Sequence, residues 1–309
     1  MKLTRALIKA IRYLYDEDYR FLFNDKYGIY NKLPDEEYLK RRFKAVMGKS
    51  LDFNNPQTFN EKLQWLKLYN RNPQYTIMVD KYKVRDYIAE TLGEKYLIPL
   101  LGVWDEPDDI NFDELPNQFV LKCNHNSGLG MCICKDKSKL DIKKVKAELK
   151  KGLKQDYYLT GREWPYKNVP RKIIAEKFMA LSGNTDLVDY KIHNFNGKPR
   201  AILVCSQRFT EEGLHEDFYS PKWEKLEVKR PEYPTSELAI KAPQKLEEML
   251  FLAEKLSKDS PFMRTDFYEI DGKVYFGEIT LYPASGLSKF DPEEWDYKWG
   301  SWIALHKFS

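Results

Sequence analysis

Residues 263–280 read MRTDFYEIDGKVYFGEIT, and this stretch decides the predicted fold. Apolar and polar residues alternate on both sides of Asp271-Gly272, a dipeptide that is typical of the tight turn between two antiparallel strands. The pattern therefore predicts a β-hairpin. We expect Asp266 and Glu278 to lie on its two neighbouring strands and to face the same way.

Asp266 and Glu278 together are a candidate site for a hard cation. Mg²⁺ prefers one or two carboxylates combined with phosphate oxygens. Arg264 lies two residues before Asp266, hence on the same strand face, and is placed to contact such phosphates. The hairpin thus favours nucleotide–Mg²⁺ chemistry. Alternating charge is also normal on the wet face of a surface hairpin, so other segments must decide between the two interpretations.

The composition indicates a globular protein. A length of 309 residues with 42% apolar residues is sufficient for two domains, or for one domain with an appended lobe. The four cysteines show no CxxC or Cys/His spacing that is typical of zinc sites, which favours a reducing cytoplasm. Basic and acidic residues are interspersed around a net charge of +4, so no basic stripe indicates a nucleic-acid partner.

The first 15 residues predict an amphipathic helix. Charges interrupt the apolar residues and no small-residue cleavage site follows, so we expect neither a signal peptide nor a spanning helix. The run through Tyr15 has two possible roles. Packing against its own domain is the favoured one, and peripheral contact with a membrane is the alternative.

Helical spacing covers residues 4–71 and 78–91, the second helix ending at Gly93. Residues 105–116 form an acidic connection that contains proline, and the chain becomes rich in strands after it. The predicted later elements are strands at 119–123, 131–134 and 173–178, a helix at 143–154, a hairpin of 187–195 with 200–206, and a helix at 244–256. We therefore predict three parts, namely a helical and α-β N-terminal lobe (1–105), a central part (106–180) and a C-terminal part with the metal site (181–309).

Lys122 occupies an unusual position, inside an apolar strand and just before a turn that contains Ser127, Gly128 and Gly130. Burying an ammonium group is costly unless an anion compensates it, and a turn with two glycines can direct backbone N–H groups at a phosphate. The turn lacks the Gly-Lys-Ser/Thr of a P-loop, and an ordinary hairpin loop is the alternative interpretation.

Several further motifs occur in a specific order. They are FNNPQTFNEK at 53–62, DKYKVR at 80–85, the turn at 122–130, IAE at 174–176, DYK at 189–191 with NGKP at 196–199, and the segment 264–286. This order resembles the ATP-grasp superfamily, and within it the TupA-like family, which is similar to a teichuronopeptide-biosynthesis protein. The resemblance covers nearly the whole chain. It implies an α+β ATP-grasp fold, in which two lobes of mainly antiparallel sheet with helices sandwich ATP and a helical N-terminal lobe precedes them.

The resemblance also implies roles for residues that would bind ATP. Lys81 and Lys122 look like the two lysines that contact nucleotide phosphates. The turn at 127–130, with Ser127, Gly128 and Gly130, looks like the flexible flap over those phosphates. The segment 176–179 resembles the hinge that receives adenine, with Glu176, Lys177 and Met179 as its candidate residues, and Asp189 would lie near the ribose.

The same resemblance implies a reaction centre on the hairpin. Lys191 would lie near the transferred phosphate, and Arg264 would steady an acyl phosphate. Asp266 and Glu278 would be Mg²⁺ ligands. Thr280 is the third candidate ligand, and it stands where the superfamily pattern has Asn, which leaves the number of metal ions open.

The implied activity is ATP-dependent ligation of a carboxylate to an amine through an acyl phosphate. This reaction needs positioning and positive charge rather than a side-chain nucleophile, which agrees with the absence of a Gly-x-Ser-x-Gly elbow. His125 and His193 lie near the proposed site, but lone histidines are more often structural. The narrower family implies a small-molecule or sugar-nucleotide uronic acid, an amine or amino acid, and cytoplasmic synthesis of capsule or other cell-surface polysaccharide.

Two alternatives remain. A glycosyltransferase would use an Asp-x-Asp motif, and the only candidate, Asp16-Glu17-Asp18, lies in a helical segment. A non-catalytic ATP-binding module would close on nucleotide without turnover. Aromatic and basic residues that suit a sugar carboxylate are Tyr157, Tyr158, Arg162, Trp164, Tyr166, Arg208, Tyr219 and Trp223, with ordinary surface anchoring as the competing interpretation. The oligomeric state is left open.

Overall fold

The structure is a computed structural model that describes residues 2–180, 187–207, 213–237 and 239–305, with residues 2–6 described by their backbone alone. Arg208, a candidate acceptor residue, lies outside the described residues. The helices are α1 (Lys2–Tyr15), α2 (Glu17–Asp25), α3 (Asp35–Met47), α4 (Phe59–Tyr69), α5 (Gln74–Val79), α6 (Val84–Thr91), α7 (Ile142–Lys154), α8 (Tyr158–Gly161), α9 (Leu246–Ser257) and α10 (Glu294–Ser301). The strands are β1 (Leu100–Trp104), β2 (Phe119–Cys123), β3 (Met131–Cys134), β4 (Ile173–Lys177), β5 (Asp189–Phe195), β6 (Lys198–Ser206), β7 (His215–Tyr219), β8 (Phe262–Ile270) and β9 (Lys273–Thr280).

The strands form two antiparallel sheets. The first sheet has the order β1-β4-β2-β3, and the second sheet has the order β7-β6-β5-β8-β9. The prediction of an α+β fold with two lobes of antiparallel sheet is therefore confirmed. The division of the chain at residues 105 and 180 stays a prediction. Strand β1 precedes the first of these boundaries and pairs with β4 of the central part.

Two hairpins of the second sheet, β5–β6 and β8–β9, turn where Asn-Gly and Asp-Gly predicted them. Asn196 and Gly197 have φ values of 47° and 77°, and Asp271 and Gly272 have values of 50° and 73°. Two successive residues with positive φ form the turn whose twist matches that of paired strands. At Gly197 a side chain is also excluded by space, because a Cβ would lie 2.9 Å from the carbonyl oxygen of Lys258.

The hairpin of β8 and β9 contains one extra residue. Phe267 pairs with Phe276, whereas Asp266, the residue before it in β8, pairs with Glu278. Gly277 therefore has no partner in β8 and forms a β-bulge. A Cβ on Gly277 would lie 3.0 Å from the Tyr268 ring and 3.1 Å from the Asp266 carbonyl oxygen. The bulge turns Phe276 towards the core and Glu278 towards the same side as Asp266.

The single helix predicted over residues 78–91 is wrong, because the chain leaves the helix at Asp80. Asp80 has an extended backbone (ψ 108°), and its Oδ1 accepts the backbone N–H groups of Tyr82 and Lys83. The same oxygen accepts Asn124 Nδ2 at 2.8 Å. Side chains of this kind compete with helical hydrogen bonds. The break places Lys81 beside the turn that follows β2, since its backbone N–H donates to Asn124 O.

Helix α4 joins the N-terminal helices to the second sheet. Thr58 and Glu61 form a capping box at its start. Asn60 donates through its backbone N–H to Asp296 Oδ1 at 3.0 Å and through its side chain to Ser288 O at 2.9 Å. The aromatic core beneath the second sheet consists of Phe59, Phe195, Phe262, Phe290 and Trp299. This packing holds the hairpin of β8 and β9 in place from behind.

Candidate active site

Arg264 links the carboxylates of the β8–β9 hairpin. Its Nε and Nη2 donate to Asp266 Oδ1 and Oδ2, both at 2.7 Å, and Nη2 also donates to Glu278 Oε1 at 3.0 Å. Thr280, opposite Arg264 in the register, accepts from the same Nη2 at 2.9 Å. Burial opposes the charge on Arg264, but Asp266 and Glu278 raise its pKa. The guanidinium is thus a fixed buried cation that is already bonded to all three predicted metal ligands.

Lys191 approaches the same cluster from β5. It pairs with Asp266 in the register, and its Nζ lies 2.5 Å from Asp266 Oδ2 and 3.7 Å from Asp189 Oδ2. Burial alone would lower the pKa of Lys191, but the charge of Asp266, together with Asp189 and Glu278, raises it above its ordinary value. Both oxygens of Asp266 are therefore bonded to cations. Asp266 is buried, whereas the side chain of Glu278 is 38% exposed in the cleft.

Glu278 carries the strongest electrostatic signal in the site. Burial opposes its ionisation, yet the charges of Lys81, Lys191, Arg264 and Lys122 hold its pKa at about 2. Lys81 follows α5 and Lys122 lies on the first sheet, whereas Lys191 and Arg264 lie on the second sheet. Four predicted cations therefore act electrostatically on one carboxylate, and Arg264 bonds to it directly, which is an anion-attracting arrangement.

On the first sheet, Glu176 is bonded to two cations. Lys122 Nζ lies 2.6 Å from Glu176 Oε2, and Arg85 Nη1 lies 3.5 Å from Oε1. Val120 of β2 is the register partner of Glu176, so Lys122 reaches it diagonally across the two strands. This pair explains how an apolar strand carries a lysine. Arg85 is a site residue that the sequence reasoning missed, although it belongs to the quoted DKYKVR motif.

The turn after β2 is held at both ends and open in its middle. Lys81 Nζ donates to Asn126 O at 2.7 Å. A Cβ on Gly130 would lie 2.7 Å from Cys123 Sγ and 2.8 Å from Gly152 Cα, so only glycine fits there. Nothing lies within 4 Å of a Cβ on Gly128.

Tyr157 and Tyr166 form a contacting pair within the aromatic set. Their rings meet edge to face at 4.7 Å. Burial first, and then nearby charges that include Glu163 and Glu278, raise the pKa of both phenols, while Arg264 lowers it. The other described candidates bond to or pack on other parts of the protein. Arg162 donates to Tyr30 O, and Trp164 donates to Asn70 O. Tyr158 donates to Asp35, and the Tyr219 ring stacks on Trp223.

The predicted adenine hinge follows Glu176 on the first sheet. The backbone N–H of Lys177 donates to Pro99 O at 2.9 Å, and the side chain of Lys177 is exposed. Met179 lies after the end of β4 and is partly buried. The structure brings these residues to the end of the strand that carries Glu176, on the same sheet as Lys122.

The two histidines are held by backbone carbonyls. His193 is buried with Nδ1 at 3.1 Å from Lys191 O, and His125 Nε2 lies 3.1 Å from Gln155 O. Burial lowers the pKa of both imidazoles, that of His193 well below its ordinary value. Neither ring points to a role as an acid or base at neutral pH.

Asp16-Glu17-Asp18 forms the start of a helix. Asp16 is the N-cap of α2 and accepts the backbone N–H of Tyr19 at 2.8 Å, while Glu17 and Asp18 lie in the first turn. Acidic residues at this position stabilise the helix. Among the described residues, no three His, Cys, Asp or Glu side chains are grouped as ligands for a metal ion. The carboxylate pair at Asp266 and Glu278 matches the sparser ligand set that Mg²⁺ uses with phosphates.

Comparisons with known proteins place this geometry in a family. The sequence model of the family described as "TupA-like ATPgrasp" matches residues 61–304. No curated protein matches the chain by sequence. Similar solved structures include D-alanine–D-alanine ligase from Bacillus anthracis complexed with ATP (TM-score 0.41, 19% identity, 66% of this chain and 55% of that one). The enzyme from Helicobacter pylori is also similar (TM-score 0.42, 18% identity, 81% of this chain and 70% of that one).

The chain spans only about half the length of the Bacillus anthracis ligase, 55%. The family model, by contrast, covers most of this chain, from α4 to the region beyond α10. That match includes all of the residues around Glu278 described above. The chain therefore belongs to the TupA-like ATP-grasp family.

Proposed function

We propose that the protein is an ATP-dependent ligase that joins a carboxylate to an amine through an acyl phosphate. The observation that carries the proposal is the cluster in which Lys191 and Arg264 both bond to Asp266 and Arg264 also bonds to Glu278. The charges of Lys81 and Lys122 also lower the pKa of Glu278. Such a set of fixed cations suits a triphosphate and the charge that develops during phosphoryl transfer. The family assignment supports the same reaction type.

The reaction balances without a protein nucleophile. A carboxylate oxygen of the substrate attacks the γ-phosphorus of ATP, the bond to the β–γ bridging oxygen breaks, and ADP leaves. The amine then attacks the acyl carbon, inorganic phosphate leaves, and the amine nitrogen loses a proton. In this proposal Lys191 and Arg264 stabilise the transferred phosphoryl group and the acyl phosphate, because both already bond to anionic oxygens in the cluster.

The residues on the hairpin fit a magnesium ion by the chemistry of their donors. Asp266 and Glu278 are hard oxygen ligands on directly paired positions, and the Thr280 hydroxyl lies 3.3 Å from Glu278 Oε1. Glu278 is the more open ligand, whereas Asp266 would exchange a bond to Lys191 or Arg264 for the metal. Mg²⁺ would neutralise charge on the phosphate oxygens, and the four cations would share that role.

The nucleotide roles are proposed on the same basis. Lys81 and Lys122 would bind phosphates beneath the turn formed by Ser127, Gly128 and Gly130. Glu176, Lys177 and Met179 would border the adenine, and Asp189 would lie near the ribose. The pairing of Lys122 with Glu176 supports these roles, since the candidate phosphate ligand lies 2.6 Å from the candidate adenine residue.

For the substrate, we propose a uronic-acid sugar, either small or nucleotide-linked, whose amidation serves capsule or other cell-surface polysaccharide. This part rests on the resemblance to the narrower family. It is supported by Tyr157 and Tyr166, whose rings contact each other and whose pKa values respond to the charges of Glu278 and Arg264. Aromatic rings of this kind suit a sugar whose carboxylate enters the cationic cluster. A cytoplasmic location is included in the proposal because ATP is the co-substrate.

The test is transfer of oxygen from the substrate to phosphate. Uronic acids labelled with ¹⁸O in the carboxylate are incubated with ATP, Mg²⁺ and a panel of amino acids and amines. A ligase releases phosphate that carries one ¹⁸O together with ADP and amide. Glu278→Gln should lose this signal, and the exposed-carboxylate variant Glu254→Gln should keep it.

Other outcomes would overturn the proposal. Release of UDP from a sugar nucleotide in the absence of ATP would indicate a glycosyltransferase. ATP binding without phosphate release under every acceptor and amine in the panel would indicate a non-catalytic binding module. Phosphate without ¹⁸O would exclude an acyl phosphate even if ATP were consumed.

A further inference from the structure

Helix α1 exposes one apolar face to solvent. The large apolar side chains on it are between 49% and 85% exposed, and they are Leu7, Ile8, Ile11, Leu14 and Tyr15. Leu7, Ile11 and Leu14 are spaced by four and three residues, which places them in one stripe along the helix. Several exposed apolar residues in one stripe indicate an interaction surface rather than scattered surface residues.

The helix is attached to the protein by another flank. Tyr13 donates its hydroxyl to Asn24 Oδ1 at 3.0 Å, and its ring meets the Phe23 ring at 5.3 Å. Arg20 donates to the carbonyls of Tyr13 and Leu14. Within the described residues, α1 packs mainly against α2, which contributes Phe23, Asn24 and Arg20 to these contacts. The apolar stripe is left without a partner there.

The charges of α1 all have one sign. Its charged residues are Lys2, Arg5, Lys9 and Arg12, and it contains no Asp or Glu. In the sequence, Arg5, Lys9 and Arg12 repeat the spacing of four and three residues, which predicts a second, basic stripe beside the apolar one. Acidic residues begin at Asp16, whose carboxylate is bonded to Arg12 and to the N-terminus of α2.

Helices that lie in the surface of a lipid bilayer typically have an apolar stripe, a basic stripe and tyrosines at one end. No helix in the described part of the chain is both long enough and apolar enough to cross a bilayer, so such a contact would be at the surface. Helix α1 also precedes the part of the chain, residues 61–304, that matches the family. It therefore lies outside the matched part of the chain.

We propose that α1 binds the surface of an anionic lipid bilayer, with Leu7, Ile8, Ile11 and Leu14 between the acyl chains and headgroups and the basic stripe at anionic headgroups. Charge complementarity favours this partner over a second copy of the chain, because two α1 helices would bring eight basic residues together. The proposal does not depend on the ligase activity.

The experiment is flotation of the full chain with vesicles of two compositions, phosphatidylglycerol mixed with phosphatidylcholine and phosphatidylcholine alone. We expect binding to the anionic vesicles that weakens as salt increases. Ile8→Gln with Ile11→Gln should weaken this binding by roughly tenfold or more. Arg5→Glu with Lys9→Glu should abolish the preference for anionic vesicles while leaving the apolar stripe intact.

Matched controls separate α1 from general surface effects. Phe251→Gln with Ile142→Gln removes two apolar residues that are also exposed, on α9 and α7, and should leave vesicle binding unchanged. Lys122→Ala should leave it unchanged as well, whatever its effect on ATP. Circular dichroism and ATP-analogue binding check that the α1 variants are folded.

Three results would overturn the proposal: no flotation of the wild type with anionic vesicles, equal flotation with both compositions, or unchanged flotation of the Ile8/Ile11 variant. Light scattering addresses the competing partner. A wild-type dimer that the Ile8/Ile11 variant converts to a monomer, without any vesicle binding, would make the stripe a subunit interface.

Discussion

Asp266 and Glu278 lie directly opposite each other on β8 and β9 because Gly277 is an extra residue in β9. The tight turn pairs Ile270 with Lys273, and an uninterrupted ladder from there would pair Asp266 with Gly277. Glu278 would then face the other side of the sheet, since a shift of one residue reverses the face of every side chain. The bulge therefore creates the carboxylate pair.

Gly277→Val should disturb this pair. The new Cβ would lie about 3 Å from the Tyr268 ring and the Asp266 carbonyl, and overpacking of this kind costs about 1–3 kcal/mol. We expect a lower free energy of unfolding in urea together with weaker binding of an ATP analogue in the presence of Mg²⁺. Gly272→Val at the turn is the matched control, because it strains a positive φ (73°) but has no neighbour within 4 Å. If Gly277→Val bound the Mg²⁺–nucleotide as wild type does, the bulge would have no role in the site.

Glu278→Gln should change both activity and the pH dependence of stability. The folded pKa of Glu278 is about 2, against an ordinary value of 4.5, so its ionisation stabilises the fold above pH 4.5. That contribution is lost as the pH falls from 4.5 towards 2. The difference in unfolding free energy between wild type and variant should therefore narrow over this interval.

At neutral pH the same variant leaves four cations facing a neutral amide, and we expect the ligation rate to fall by roughly 10²–10³-fold. Denaturant titrations between pH 7 and pH 3 and single-turnover rates measure the two effects. Glu254→Gln, an exposed carboxylate of α9, should change neither. A difference between wild type and Glu278→Gln that stays constant with pH would contradict the depressed pKa.

Much of the second sheet was predictable from the sequence, and the reason is local. Asn196-Gly197 and Asp271-Gly272 each fix a turn, and alternation on both sides fixes the strands. The bulge at Gly277 was not predictable in this way. The sequence reasoning placed Asp266 and Glu278 on one face correctly, but a two-residue turn alone gives the opposite face for Glu278.

The site on the first sheet was less accessible to prediction because its contacts are between distant segments. Arg85 reaches Glu176 across 91 residues of sequence, and Asp80, where the helix over residues 78–91 breaks, also accepts a bond from distant Asn124. No local sequence pattern indicates these long-range partners. Lys122 was the one visible signal, since a lysine in an apolar strand requires a compensating anion.

Lys122 and Glu176 should be energetically coupled in nucleotide binding. Lys122→Met should weaken binding of an ATP analogue by roughly 10–100-fold, because it removes a phosphate cation. Glu176→Gln leaves Lys122 without its closest carboxylate partner, so the double variant should lose less than the sum of the two single changes. Isothermal titration of all four proteins measures the coupling, with Lys172→Met, whose lysine pairs with exposed Asp105, as the control. Strict additivity would indicate that the pair does not act together on the nucleotide.

Lys67 should stabilise the chain segment that follows β9. Its buried Nζ donates to Gly161 O and to the carbonyl and hydroxyl of Ser285, each at 2.8 Å. Ser285 and Ala284 have positive φ values of 56° and 47°, so these bonds help to hold a strained turn. Lys67→Met removes the Lys67 donor to Gly161 O, while Ser285 O keeps Gln64 Nε2 as a donor, and it should cost about 2–4 kcal/mol in urea unfolding.

Lys62 offers a control for Lys67 on the same helix. Its Nζ also donates to two carbonyls, those of Gly300 and Ile303, but from a less buried position. Lys62→Met should therefore cost about 1 kcal/mol. Equal costs for the two variants would show that burial of the Lys67 ammonium contributes nothing beyond the hydrogen bonds themselves.

Arg264→Lys tests whether the cluster needs a planar fork or only a positive charge. Arg264 bonds to both oxygens of Asp266 and reaches Glu278 and Thr280 through one nitrogen, a geometry that a single ammonium cannot reproduce. We expect the free energy of unfolding to fall by about 2 kcal/mol and the single-turnover rate to fall by roughly 100-fold. Arg230→Lys changes another buried ion pair of the same sheet, with Glu216, and should lower stability while turnover is kept. If Arg264→Lys retained the wild-type rate, positive charge alone would suffice at this position, and the bidentate bond to Asp266 would serve the fold rather than the reaction.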